Sequence, residues 1–195
     1  MEDFETRKGE APNGEESAKT QQASEHSSAE ESEQSSAEEA ERAREILLRT
    51  LSRAPRSRFE LHQRLVERDI SADIADEILD RYEELGLIDD AEYAAMVVRT
   101  RHRERGQARR AIAQELRRRG LSDEHAQAAL EQLDDEAEMQ RAEELVARRM
   151  ESVRRLPRER ALQRLVGYLG RRGYSTAQAL SVIRPALDQR DDGMI

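Results

Sequence analysis

The sequence predicts an all-α protein: an elongated solenoid of three tandem three-helix repeats, preceded by a disordered acidic N-terminal tail. Three observations predict it. The stretches LVERDIS (65–71), LRRRGLS (116–122) and LGRRGYS (169–175) are copies of one pattern, spaced by 51 and then 53 residues. Leu61, Ile112 and Leu165 each precede the first Leu of a copy by four residues, which is the spacing of an apolar helix stripe. No segment alternates with the period of a strand.

The elements follow in order. Residues 1–41 form the expected tail. Its Ser, Glu, Gln and Ala content leaves almost nothing to bury, so ordering it is not offset. Residues 28–41 could form a nascent helix or extend the first packed helix backwards. Repeat one is 42–89, repeat two 90–134 and repeat three 135–190, with 191–195 as a C-terminal tail. Each repeat opens with its own helix. The first is at 45–51, ended by the Pro55 turn, the second at 90–104 with Asp89 or Asp90 as its cap, and the third at 136–155, ended near Pro157. The repeated pair follows, with Leu65, Leu116 and Leu169 in the core stripe. Gly120 and Gly173 suit the left-handed turn between the two helices, and Asp69 holds that place in the first copy. Ser71, Ser122 and Ser175 read as N-caps. Ala75, Ala126 and Ala179 then align, as do Ile78/Leu79, Ala129/Leu130 and Val182/Ile183. Pro185 should end or kink the last helix. A single unit has little apolar surface, so stacked neighbours are expected to share a core.

Composition narrows function. There is no cysteine, hence no disulfide, thiolate metal site or Cys nucleophile. The opening MEDFETRKGEAPNGEE has no apolar core, and the apolar runs are too short to span a bilayer. The expectation is a soluble, cytoplasmic chain without a membrane partner. The net charge of −9 is local. Residues 1–40 hold twelve Asp/Glu against three Lys/Arg, which leaves the remainder neutral with arginine as its only strong base. That neutral part is banded. Residues 99–119 and 148–172 each carry nine arginines against two glutamates, while 123–144 carries nine acids against one arginine. Runs this basic exceed what solubility needs and point to a polyanionic or acidic partner. A solvated helix face is the plain alternative.

The stretches RSRFELHQRLVERDIS (56–71), LGLIDDAEYA (85–94) and RGQARRAIAQELRRRGLS (105–122) resemble the RecX family of bacterial regulatory proteins. The similarity covers roughly residues 43–188 and leaves the acidic tail outside it. The resemblance implies a three-helix-repeat solenoid without enzymatic activity or cofactor. It implies a monomer that lies along the groove of a RecA recombinase filament on DNA and modulates, most often suppresses, the filament's ATPase, strand-exchange and coprotease activities. The implied setting is homologous recombination, DNA repair and the SOS response. Nucleic acid is then met through the filament, with weak direct DNA contact in addition. Arginine suits either target, because its fork pairs with phosphate or carboxylate.

The expected contact residues are Arg99, Arg101, Arg103, Arg105, Arg109, Arg110, Arg117, Arg118 and Arg119 in repeat two, and Arg154, Arg155, Arg158, Arg171 and Arg172 in repeat three. The principal alternative is a helical-repeat DNA binder that acts on phosphates without RecA. Sequence-specific reading is disfavoured, because the helix that would enter the groove begins with Asp123 and Glu124. Base stacking is disfavoured too, since 99–122 contains no aromatic residue, and Tyr168 and Tyr174 fit core positions. His26, His62, His102 and His125 form no metal-binding pair, and there is no phosphate-binding loop. Asp89 and Asp90 read as helix N-terminal acids rather than as a catalytic pair.

Overall fold

The computed structural model describes residues 14–192, with residues 14–32 described by their backbone alone. Expectations for residues 1–13 and 193–195 lie outside the described residues. Among the described residues there are nine α-helices, one short 3-10 turn and no strand. The helices are α1 (Gly14–Leu51), α2 (Arg58–Val66), α3 (Ala72–Glu84), α4 (Asp90–Arg105), α5 (Arg109–Arg118), α6 (Asp123–Glu131), α7 (Asp135–Met150), α8 (Arg158–Gly170) and α9 (Thr176–Asp192). They pack in consecutive threes.

Two helix ends differ from the reading of the sequence. Helix α1 extends backwards through the acidic segment, as the alternative for residues 28–41 has it, and reaches beyond residue 28 to Gly14. Between Glu15 and Leu51 there is neither Gly nor Pro, and Ala, Glu and Gln propagate a helix nucleated by its packed C-terminal turns. Those turns bury Ala43 and Leu47. At the other end, α9 continues through Pro185 to Asp192 and takes in two residues assigned to a C-terminal tail. Pro185 is exposed, so the Ser181 carbonyl it leaves without a donor can face water.

The caps explain most starts. Ser57 and Glu60 form a reciprocal capping box at α2. Asp89, Ser122 and Asp134 cap α4, α6 and α7 by accepting from backbone N–H groups. Ser175 and Gln178 cap α9 in the same reciprocal manner. Ser71 occupies the N-cap of α3, but its side chain makes no capping bond. Its N–H instead donates to the Glu39 carboxylate, which ties the acidic part of α1 to the first unit.

The repeat register holds in the core. Leu61, Ile112 and Leu165 are fully buried, and so are Leu65, Leu116 and Leu169. Ala75, Ala126 and Ala179 are buried beneath them. The expected shared core is not what forms. The apolar side chains gather into three clusters, one per unit, built around Leu61 and Leu79, around Val98 and Ile112, and around Leu165 and Ile183. Only Ala108 crosses, lying at the start of α5 yet packing in the third cluster. Each unit supplies three helices with apolar stripes that converge, and a buried Leu contributes about 1.5–3 kcal/mol. The stripes are therefore spent within units, and polar groups and small residues are left to join them.

The two joints repeat one design. The α5–α6 turn sits on the N-terminus of α2, and the α8–α9 turn sits on the N-terminus of α5. In the first joint the Ser57 hydroxyl donates to the Arg119 carbonyl at 2.6 Å. In the second the Ala108 N–H donates to the Arg172 carbonyl at 2.8 Å. Ser57 and Ala108 are 51 residues apart and Arg119 and Arg172 are 53 apart, so these are equivalent positions of the repeat. Gly120 and Gly173 follow those carbonyls with φ of +72° and +94°. A Cβ on Gly120 would overlap Phe59, and one on Gly173 would lie 2.5 Å from the Ala111 Cβ and 2.8 Å from its backbone N. Both glycines are thus required twice, by their left-handed backbone and by the close approach of the neighbouring helix. Asp69, with φ +60°, takes the equivalent place in unit one, the first of the three.

Candidate partner and nucleic-acid interface

The arginines singled out from the sequence divide into two groups. Arg101, Arg109, Arg119 and Arg172 are partly buried and engaged inside the protein. Arg101 lays its fork on Glu115, with Nε at 2.8 Å and Nη2 at 2.7 Å from the two carboxylate oxygens. Arg119 donates to Glu115 at 2.8 Å and to Glu60 of the preceding unit at 3.1 Å. It also donates to the Tyr93 hydroxyl, which in turn donates to Glu60 at 2.8 Å. This network closes the first joint. The hydrogen bonds from Arg101 draw the Glu115 carboxyl down to about 2, against the opposing effect of burial and with further help from Arg119.

The second joint uses different chemistry at the same places. Arg172 lies 3.9 Å above the Tyr168 ring, where Arg119 meets Glu115, and Arg149 approaches that ring at 5.5 Å. Glu138 is buried between units two and three. It accepts from the Arg109 N–H at 2.5 Å and from Gln178 Nε2 at 3.1 Å. The Arg109 guanidinium reaches the Leu133 carbonyl and Asp135. Arg141 donates to the Arg103 carbonyl at 2.6 Å.

The second group is exposed. Arg110, Arg117 and Arg118 recur at i, i+7 and i+8 along one face of α5, opposite the buried Ile112 and Leu116. Arg103 and Arg105 end α4, and Arg155 and Arg171 stand on unit three. None of these seven has an ion-pair partner among the described residues, whereas other predicted arginines do. Arg99 pairs with Glu92 at 2.8 Å, Arg154 with Glu151 at 3.8 Å, and Arg158 with Asp188 and Asp191 at 2.5 and 2.7 Å.

The acidic pair Asp89 and Asp90 is explained by architecture. Asp89 caps α4, and Asp90 accepts from the Arg58 N–H at 2.9 Å, binding unit one to unit two. His102 is buried, with Nδ1 3.4 Å from the Gln107 carbonyl. Among the described residues no group of three or more His, Asp or Glu side chains could hold a metal ion, and no helix is long and apolar enough to cross a membrane.

The sequence reading passed over one basic surface. Arg42, Arg49, Arg53, Arg56, Arg64 and Arg68 surround a groove between α1 and α2. Glu41, Glu45, Glu60 and Glu67 are interspersed with them, so no run of charge stands out. The helical spacing of Arg42, Arg49 and Arg53 was the available signal.

The fold and its surface define a tandem three-helix-repeat protein whose middle unit presents arginines that have no ion-pair partner among the described residues. Family profiles place it further. The profile described as RecX, first three-helix domain, matches residues 43–81, the second domain matches 89–130 and the third matches 136–183. The chain belongs to the RecX family. It is 45% identical over 150 residues to the regulatory protein RecX of Streptomyces coelicolor, covering 77% of this chain and 80% of that one. It is 44% identical over 147 residues to the regulatory protein RecX of Thermobifida fusca, covering 75% and 80%. The crystal structure of RecX from Lactobacillus salivarius shares the fold with a TM-score of 0.68 at 23% identity, over 76% of this chain and 97% of that one.

Proposed function

We propose that this chain is a non-catalytic, monomeric cytoplasmic regulator that docks along a RecA–DNA filament and modulates the filament's ATPase, recombinase and coprotease activities, with inhibition as the expected sense. Membership of a family whose relatives are named regulatory proteins supports the reading. The observation that carries it to a site is the stripe of Arg110, Arg117 and Arg118, exposed on α5 and without an ion-pair partner among the described residues. A filament groove offers phosphates and protein carboxylates together, and guanidinium pairs with both. Arg103, Arg105, Arg155 and Arg171 extend the same surface chemistry. Arg101, Arg109, Arg119 and Arg172 set the joints and hence the curvature that presents it.

The test is RecA-catalysed ATP hydrolysis on single-stranded DNA, with and without this protein. The unaltered chain should suppress turnover, and Arg110→Glu, Arg117→Glu and Arg118→Glu combined should relieve the suppression while the far-UV circular dichroism stays unchanged. A folded triple variant that still inhibits fully would reduce this stripe to a solvated face. Loss of binding to bare DNA with filament regulation intact would favour a plain DNA binder.

A further inference from the structure

The groove on unit one is unlike the rest of the arginine surface. Its volume is about 480 Å³, and six of its nine lining side chains are arginines with Glu45 as the only acid. Arg42, Arg49 and Arg53 come from α1 and the turn that ends it, and Arg56, Arg64 and Arg68 from α2 and the segments flanking it. All six are exposed. None makes an ion pair among the described residues, although arginines on the same two helices do. Arg44 pairs with Glu41, and Arg58 pairs with Asp76, Asp80 and Glu83. The fold thus pairs Arg44 and Arg58 with carboxylates and leaves the six arginines that line the groove without an ion-pair partner among the described residues.

We infer that this groove binds the sugar–phosphate backbone of a nucleic-acid single strand, independently of the α5 stripe. The lining decides the kind of occupant. An acidic amphipathic helix would need an apolar floor, and Ile46 is the only large apolar side chain that the groove offers. Aromatic platforms are absent from the lining, so binding rests on phosphates rather than on stacked bases and is blind to sequence. Basic walls on both sides suit a ligand that carries charge at every unit along its length. Arg42 to Arg49 spans seven residues of α1, about 10 Å at helical rise. A single strand carries one phosphate per nucleotide along that length, so the arginines on the two walls can meet more than one phosphate in one pass.

The inference does not rest on the filament reading, and its experiment contains no recombinase. Fluorescence anisotropy of a labelled oligodeoxythymidylate should be followed across a salt series with the full chain and with Arg49→Ala, Arg53→Ala and Arg64→Ala combined. Each single-strand phosphate neutralised contributes about 0.7 to the log–log salt slope. The triple variant should therefore lose about 2 units of slope, while a control with Arg44→Ala and Arg81→Ala, whose side chains are already paired with Glu41 and Glu84, keeps its slope. Equal slopes for the groove variant and the unaltered chain would overturn the inference. So would displacement of the oligonucleotide by polyglutamate at matched charge concentration, which would make the groove a carboxylate site. Phenylglyoxal modification of the unaltered chain needs no variant. Arg49, Arg53 and Arg64 should be protected by the oligonucleotide relative to Arg44 and Arg81, and equal labelling with and without it would again refute the groove.

Discussion

Gly173→Ala probes how the units are joined. The substitution adds one methyl group at φ +94°, where an L side chain is strained, and sets it 2.5 Å from the Ala111 Cβ and 2.8 Å from the Ala111 backbone N. A backbone atom in the first turn of α5 cannot yield as a side-chain tip would, so either the α8–α9 turn or α5 must move. The left-handed backbone alone costs about 1–2 kcal/mol. The overlap adds about 1–3 kcal/mol, the usual range for an overpacked site. Gly86→Ala is the matched control: its φ is +67°, and an added Cβ meets nothing within 4 Å. Denaturant unfolding followed at 222 nm should therefore show Gly86→Ala losing about 1–2 kcal/mol and Gly173→Ala losing about 2–5 kcal/mol. The excess measures the joint. Amide exchange should show the Ala108 N–H, which donates to the Arg172 carbonyl across this joint, losing protection in Gly173→Ala alone. Equal losses for the two variants, with the Ala108 amide still protected, would mean that the turn does not seat against α5 and that the repeated joint is misread.

Two further outcomes follow from the same architecture. Leu116→Ala removes a fully buried side chain from the middle cluster and should cost about 2–5 kcal/mol. Because each unit has its own core, amide protection should fall in α4, α5 and α6 before it falls in α8 and α9, and uniform loss would contradict separate cores. Glu115→Gln should weaken the first joint by about 1–2 kcal/mol, between the values for exposed and buried ion pairs. The Glu115 carboxyl titrates near 2 in the folded chain against 4.5 ordinarily. Its stabilisation is thus fully present above the ordinary value and is lost as pH falls from about 4.5 to about 2. Melting temperatures of the unaltered chain and the variant should converge across that window, and a constant difference would place the stabilisation elsewhere.

The repeat shows how much was legible in the sequence. Leu61, Ile112 and Leu165, with Leu65, Leu116 and Leu169, declare both the helix stripe and the three-fold tandem order, because burial of a helix face is written in local spacing. The left-handed glycines and the capping serines Ser122 and Ser175 are likewise local, and so readable, whereas Ser71 holds the N-cap place without a capping bond. The arginines are not. Arg117, Arg118 and Arg119 are consecutive, yet the first two are exposed and the third holds Glu60, Glu115 and Tyr93 together. Nothing in the residue type distinguishes them. The outcome depends on which face of α5 meets unit one, and on a carboxylate 59 residues earlier in the chain.

By itself, then, the sequence determined the helices, their grouping in threes, the core positions and the banding of charge. Each of these depends on residues within a few turns of one another. Only the tertiary structure decided that the cores stay separate, that Gly120 and Gly173 carry the joints, and that six scattered arginines line one groove on unit one. Those features depend on contacts between residues far apart in the chain, where close packing and charge pairing act through distance in space and leave no period along the sequence.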